Sequence, residues 1–194
     1  MGISIISNNC AGWRMTQELH ERYDTPTIAL QIMPEEFLKF CQNLKHYLSL
    51  DITEYEDFSE KHKEQTLRMF GCMVDFPCGL CGDIVIYFQH EDSFQTAVEK
   101  WNRRKVRVHY DNLVYLFVLD YDRYQKEAQE FSEAQIRNSY IFTNDFDIEG
   151  EHYRYTLPPN PMKPDTKLCF LDKNRPKHYV FEGEFRREVL WKSF

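Results

Sequence analysis

Glycine is scarce in this chain, at 7 of 194 residues, and no run of about 18 apolar residues occurs in it. The first scarcity, beside 15 Phe, 12 Tyr and 3 Trp, argues against disorder and low complexity. The second leaves no candidate membrane-spanning helix. The opening MGISIIS lacks the basic start and long apolar stretch of a signal peptide, so a cytoplasmic location is expected. Positive charge is in deficit as well. With 24 basic and 31 acidic residues the formal charge is −7, which argues against a general nucleic-acid binder because phosphate neutralisation needs a basic face, and leaves open only a local basic patch. A Walker loop, GxGxxG, GxSxG and HExxH are all missing, which removes the ordinary nucleotide, hydrolase and metalloprotease signatures.

What is present organises around residues 82–120. The run IVIYF at 84–88 is short, apolar and rich in β-branched and aromatic residues, as in a strand covered on both faces. Asp92 or Ser93 can cap a following helix, whose apolar stripe is Phe94, Ala97, Val98 and Trp101. LVYLFVL at 113–119 is a second buried strand. A strand, crossover helix and strand in one sheet are parallel and right-handed, so the expected fold is α/β, with an open, mostly parallel Rossmann-like sheet and helices on both faces. At 42% hydrophobic the chain can bury one core. A single domain, 1–194, is expected, with a core over 1–150 and a C-terminal arm over 151–194.

Before the central unit, a strand at 3–6 breaks at Ser7-Asn8-Asn9-Cys10-Ala11-Gly12. A helix is expected over 13–23, a strand over 27–32, and a long helical stripe from Pro34 through Phe37, Phe40, Cys41, Leu44, Tyr47 and Leu48. Residues 51–69 are charged and weakly patterned, a surface excursion, and FGCMVDFPCGLCGD is a turn-rich entry to the next strand. Beyond the central unit a helix over 124–131, a capping box of Ser132 with Gln135, and a strand at 140–142 are expected. Pro158, Pro159, Pro161 and Pro164 favour an irregular extended arm, with edge strands at 168–171 and 179–181 and a closing helix at 184–191.

Ligands of an open parallel sheet bind beyond the carboxyl ends of its strands. That rule collects Ser7, Asn8, Asn9 and Cys10 from the first strand, His90 from IVIYF, Asp120 and Asp122 from LVYLFVL, and Asn144, Asp145 and Asp147 from the last. Thiol, imidazole, carboxylates and amide donors together make the inventory of a nucleophile, a base, an orienting acid and an oxyanion hole. Each has a structural alternative. Cys10 also suits a small buried hydrophobe, Asn8 and Asn9 suit a turn, and His90 suits a hydrogen-bonded structural histidine.

Arg103, Arg104, Lys105 and Arg107 could fork an anion such as phosphate, yet cations in the last turn of a helix also complement its dipole, and this end of the helix faces away from the expected site. The six cysteines, Cys10, Cys41, Cys72, Cys78, Cys81 and Cys169, read as free thiols without a secretion signal. Cys78-Gly-Leu-Cys81 lacks a second CxxC, with only Cys72 close by, and precedes a strand rather than opening a helix. Neither a zinc site nor a thioredoxin-like pair is expected, and no metal is assigned.

The segments ISIISNNCAG, TPT, FLKFCQNLKHYL and FPCGLCGDIVIYFQHEDSFQTAVEKWNRRKVRVHYDNL together resemble the bacterial domain of unknown function 1919. Members have an aromatic and glycines after the Cys, and Tyr after the His, where this chain has Ala11-Gly12 and Glu91. The resemblance implies a Rossmann-like fold and a role in exopolysaccharide or capsule biosynthesis, with a sugar or polysaccharide precursor and other proteins of that assembly as partners. The SNNC turn is also similar in kind to that of some capsule acyltransferases related to SGNH hydrolases. The expected function is therefore a transferase moving an acyl group onto a sugar hydroxyl, with Cys10 as nucleophile or oxyanion-side residue, His90 as base, Asn8 and Asn9 as oxyanion donors, and Asp120, Asp145 or Asp147 as orienting acid. The co-substrate would be acyl-CoA. A glycosyltransferase using a nucleotide sugar and a noncatalytic sugar-binding or assembly module are the alternatives.

Overall fold

The computed structural model describes residues 2–18, 22, 24–119, 122–144, 146–150, 152–154, 159–160 and 163–167. Two sheets carry the fold. The first is parallel: β1 (Ser4–Ser7) pairs with β6 (Leu113–Leu119), β6 with β7 (Ser139–Thr143), and the two-residue β8 (Tyr153–Arg154) extends β7. The second is antiparallel, in the order β2 (Gln31–Ile32), β5 (Ile84–Tyr87), β4 (Cys78–Cys81) and β3 (Ile52–Glu54). β9 (Pro159–Asn160) and β10 (Lys163–Lys167) form a separate two-stranded antiparallel sheet.

The protein is thus α/β, and the Rossmann-like expectation holds only for the parallel sheet. The strand at 84–88 and the strand at 113–119 do not share a sheet, so α5 (Phe94–Lys105) passes from one sheet to the other and closes no parallel crossover. A hairpin decides this. Gly82, at φ 64°, turns the chain between β4 and β5, and Cys78 to Cys81 take up the neighbouring ladder. The apolar run is covered on both faces, as its composition demands. Ile84, Ile86 and Phe88 enter the main core, while Val85 and Tyr87 join a smaller cluster with Met33 and Cys78.

The main core is aromatic at its centre. Phe37 of α2 (Pro34–Gln42), Phe117 of β6 and Phe131 of α6 (Gln125–Glu133) form a triangle with ring centroids 4.7–5.7 Å apart. Trp101 of α5 packs beside Phe40 of α2, and Ser93 caps α5 as expected.

Several boundaries differ from the sequence reading. α1 spans Ala11–Glu18. The strand at 27–32 shrinks to β2, because Ala29 takes φ 62° and the side chains before it turn to β1 instead. Ser4 Oγ donates to the Asp24 carbonyl, the N–H of Ser7 donates to Thr27 Oγ1, and Thr27 Oγ1 reaches the Ile5 carbonyl. The TPT segment therefore covers the open edge of β1. The stripe from Pro34 breaks at Asn43 into α2 and α3 (Leu44–Ser49), with Pro34 at the first helical position. The excursion at 51–69 contains β3 and α4 (Glu60–Phe70), which Ser59 caps and Gly71 ends at φ 75°. A 3-10 turn, Asp122–Tyr124, leads into α6. Ser132 sits inside α6, and Gln135 has φ 47° beyond its end, so no capping box forms there. The expected edge strands at 168–171 and 179–181 and the helix at 184–191 lie outside the described residues.

Candidate functional site

β1 ends in the buried turn Ser7-Asn8-Asn9-Cys10, and the turn is held mainly by its own amides. Asn8 Nδ2 donates to the Val118 carbonyl at 3.0 Å while Asn8 Oδ1 accepts the Val118 N–H at 2.9 Å. The Asn8 carbonyl accepts the N–H of Ile32 at 2.8 Å, so one residue ties β1, β6 and β2 together. Asn9 Oδ1 accepts the N–H of Ala11 at 3.0 Å, which caps α1. Cys10 is 3% exposed, with Sγ 4.0 Å from the Leu30 carbonyl oxygen. Asn144 is buried at the end of β7, where its N–H donates to the Leu119 carbonyl.

The strand ends leave a cavity of about 20 Å³, enough for one water, lined by Asn8, Asn9, Gln31, Val118, Tyr124 and their apolar neighbours. The hydroxyl of Tyr124 is buried there without a hydrogen-bond partner among the described residues. His90 approaches the same edge from the other sheet. It is exposed, and its ring lies 6.3 Å from that of Trp13 in the first turn of α1. The Ser7–Cys10 turn and Asn144 thus lie at the carboxyl ends of β1 and β7, while His90 comes from the antiparallel sheet, where the parallel-strand rule does not apply, and meets this end through Trp13. Asp120 and Asp145 lie outside the described residues. Asp122 is exposed in the 3-10 turn, and Asp147 is turned to His152 at 3.2 Å.

The strand-end turn, His90, Asn144 and the acidic residues after β6 and β7 fall within 1–150, the span matched by the DUF1919 model, a domain of unknown function. The chain belongs to the DUF1919 family. An uncharacterized protein of Haemophilus influenzae is 32% identical to it over 144 residues, which cover 74% of this chain and 62% of that protein. The chain spans less than two thirds of this relative's length.

The remaining sequence candidates of this DUF1919 chain are displaced from the edge. Arg103 and Arg104 lie in the last turn of α5 and Arg107 just beyond it, at the opposite end of β1 and β6. Arg107 Nε donates to the Arg103 carbonyl at 3.1 Å, and its guanidinium lies 3.8 Å from Asp24 Oδ1, an oxygen that Arg22 also approaches at 3.1 Å. Arg107 thereby anchors the start of β1. Cys78 and Cys81 are three apart in a strand, so they face opposite sides of the sheet and cannot share an ion. Among the described residues no group of three or more His, Cys, Asp and Glu could hold a metal, and no helix is long and apolar enough to cross a membrane.

Sequence reasoning missed a polar cluster beside the cavity. Arg68 NH1 lies 3.0 Å from Glu35 Oε1 and 3.6 Å from Glu127 Oε1, and its guanidinium stacks 4.5 Å above the Tyr124 ring. Burial raises the Glu35 carboxyl above its ordinary range against the pull of Arg68, with Glu127 adding to the rise. No local motif announces this trio, whose members come from α2, α4 and α6. Glu36 and His62, a buried carboxylate beside a buried imidazole, were missed for the same reason.

Proposed function

We propose that the chain is a transferase that moves an acyl group from a thioester donor onto a sugar hydroxyl, in the assembly of a cell-surface polysaccharide. One observation carries the reading: an exposed imidazole, His90, stands against Trp13 on the helix that opens from the amide-rich strand-end turn. Carboxamides both donate and accept, which matches the hydroxyls of a carbohydrate, and an indole offers the face on which a sugar ring stacks. His90 takes the proton of the sugar hydroxyl as that oxygen attacks the thioester carbonyl carbon. The carbon–sulfur bond then breaks, and the departing thiolate recovers the proton from His90. Amide N–H groups of the first turn of α1 are the donors for charge developing on the carbonyl oxygen.

Cys10 enters as a residue of the turn. A covalent acyl-thioester would need a thiol within reach of a bulky donor, and 3% exposure favours direct transfer instead. Asn8 likewise serves the strand end, since both polar atoms of its side chain are engaged by Val118.

The test is acetyl-CoA turnover in the presence of sugar acceptors. His90→Ala is expected to lower it by about 10²-fold or more, the usual contribution of a general base. No turnover, together with thermal stabilisation by a nucleoside diphosphate and manganese, would replace this reading with a nucleotide-sugar glycosyltransferase. Neither response would leave a noncatalytic sugar-binding module.

A further inference from the structure

Helix α4 opens on a second arrangement that acyl transfer at the sheet edge does not use. Ser59 is its N-cap, and Ser59 Oγ accepts the N–H of His62 at 3.4 Å. The same oxygen lies 2.9 Å from His62 Nδ1, and the Tyr55 hydroxyl lies 2.7 Å from that nitrogen. Tyr55 also accepts the N–H of Ser59 at 3.0 Å. On the far side of the ring, Nε2 stands 3.5 Å from Glu36 Oε1, close enough for electrostatic attraction but without a formed hydrogen bond. Glu36 is 3% exposed and firmly placed: Oε2 accepts the N–H of Val85 at 3.2 Å, and Oε1 accepts from Lys61 Nζ at 2.8 Å.

The Glu36 carboxylate beside Nε2 favours the tautomer with the ring proton there, which leaves the single lone pair of Nδ1 shared between the Ser59 and Tyr55 hydroxyls. Ser59 is exposed while His62 is 8% exposed, so the serine stands at the surface with its base beneath it. We propose that Ser59, His62 and Glu36 form a hydroxyl–imidazole–carboxylate relay in which Ser59 accepts the acyl group of small activated esters. Ser59 Oγ attacks the ester carbonyl carbon as its proton passes to Nδ1. The ester carbon–oxygen bond breaks, and the leaving oxygen takes that proton. Water then gives a proton to Nδ1, attacks the acyl-serine, and Ser59 recovers the proton. Orphan N–H groups in the first turn of α4 face the developing oxyanion.

The groups around the imidazole are Glu36 of α2, Ser59 and Lys61 at the start of α4, and Tyr55 after β3. Burial lowers the imidazole below its ordinary value of 6.5, Lys61 adds to this, and Glu36 opposes both. The ring is therefore a neutral base at neutral pH. An internal comparison is available in Ser93, which caps α5 in the same way, with the N–H of Thr96 at 3.3 Å, but has a threonine where Ser59 has His62.

The test uses the intact chain with a fluorophosphonate probe, then p-nitrophenyl acetate, and peptide mapping by mass. The expected result is one adduct, on Ser59, forming at least about tenfold faster than any on Ser93. Its rate rises with pH through a single ionisation below 6.5 and is then flat. Ser59→Asn keeps a capping oxygen and abolishes the adduct, and His62→Gln slows it at least about tenfold. Both the Ser93 comparison and the pH profile are read on the unsubstituted protein, so they stand even if His62→Gln fails to fold. His90→Ala leaves the adduct unchanged, which separates this relay from the sheet-edge site. No adduct on Ser59, equal rates at Ser59 and Ser93, or a rate indifferent to His62→Gln would reduce the arrangement to a helix cap.

Discussion

The carboxamide of Asn8 holds both main-chain polar groups of Val118, a residue 110 positions further along the chain. It does at the end of β1 what another ladder residue would have done, while its backbone turns away to meet Ile32 of the antiparallel sheet. Asn8 therefore joins the two sheets, with its side chain on β6 and its carbonyl on β2.

Asn8→Ala is expected to cost about 2–3 kcal/mol, because it strands the buried N–H of Val118 and leaves its carbonyl only the longer bond from Asn9 Nδ2 at 3.4 Å. Asn9→Ala, which removes a helix cap, is expected to cost about 1 kcal/mol. Urea denaturation of the two variants checks the order, and the opposite ranking would show that Asn8 is not the structural member of the pair.

Ala29 occupies the left-handed region at φ 62°, two residues after the TPT segment. That conformation strains a side chain by about 1–2 kcal/mol, which glycine relieves at some cost in chain entropy. Ala29→Gly should raise the melting temperature by a few degrees. A lower melting temperature would mean that the methyl group contributes packing that outweighs the strain.

Of the five described thiols only Cys72 is exposed. Burial pushes Cys78 up to about 12 and Cys81 up to about 11, and raises Cys41 well above the ordinary thiol value. Iodoacetamide at neutral pH should label Cys72 in the folded protein, and Cys10, Cys41, Cys78 and Cys81 only after denaturation. Rapid native labelling of Cys10 would restore a covalent thioester route at the sheet edge.

His62 gives the fold a pH dependence of definite sign. Its folded value lies below 6.5, so the unfolded chain binds the proton more readily, and stability falls as pH drops through 6.5 and levels off below the folded value. Denaturant midpoints measured between pH 8 and pH 5 should decline for the natural chain more than for His62→Gln. Parallel declines would place the sensitivity elsewhere.

Much of the frame was legible in the sequence. LVYLFVL reads as a covered strand and is one, and Phe94, Ala97, Val98 and Trp101 form the helix stripe their spacing implies. The sheet assignment was not legible, because a continuous apolar run reports cover on both faces and says nothing of which strand lies beside it. The signal against a crossover was Gly82-Asp83, a two-residue turn that makes a hairpin of Cys78–Cys81 and Ile84–Tyr87. At the candidate site, the SNNC turn and Asn144 lie at the ends of β1 and β7 as their places after those strands implied, whereas His90 follows a strand of the antiparallel sheet, to which the parallel-strand rule does not apply. That rule could not find Glu36 with His62, or Glu35 with Arg68 and Glu127, since these pairings exist only after α2, α4 and α6 have packed.

The order of the strands also sets a timetable for synthesis. The antiparallel sheet uses only residues up to Tyr87, so it can close while β6 is still unmade, whereas β1 finds its ladder partner only when Leu113–Leu116 leave the ribosome. Until then ISIIS is an apolar strand with an open edge, and any chaperone that shields nascent chains has its main work in that interval. Slowing translation while Leu113–Leu116 are still inside the ribosome should therefore lower the soluble yield, and a neighbouring nascent copy of the same chain would be the first alternative partner for β1.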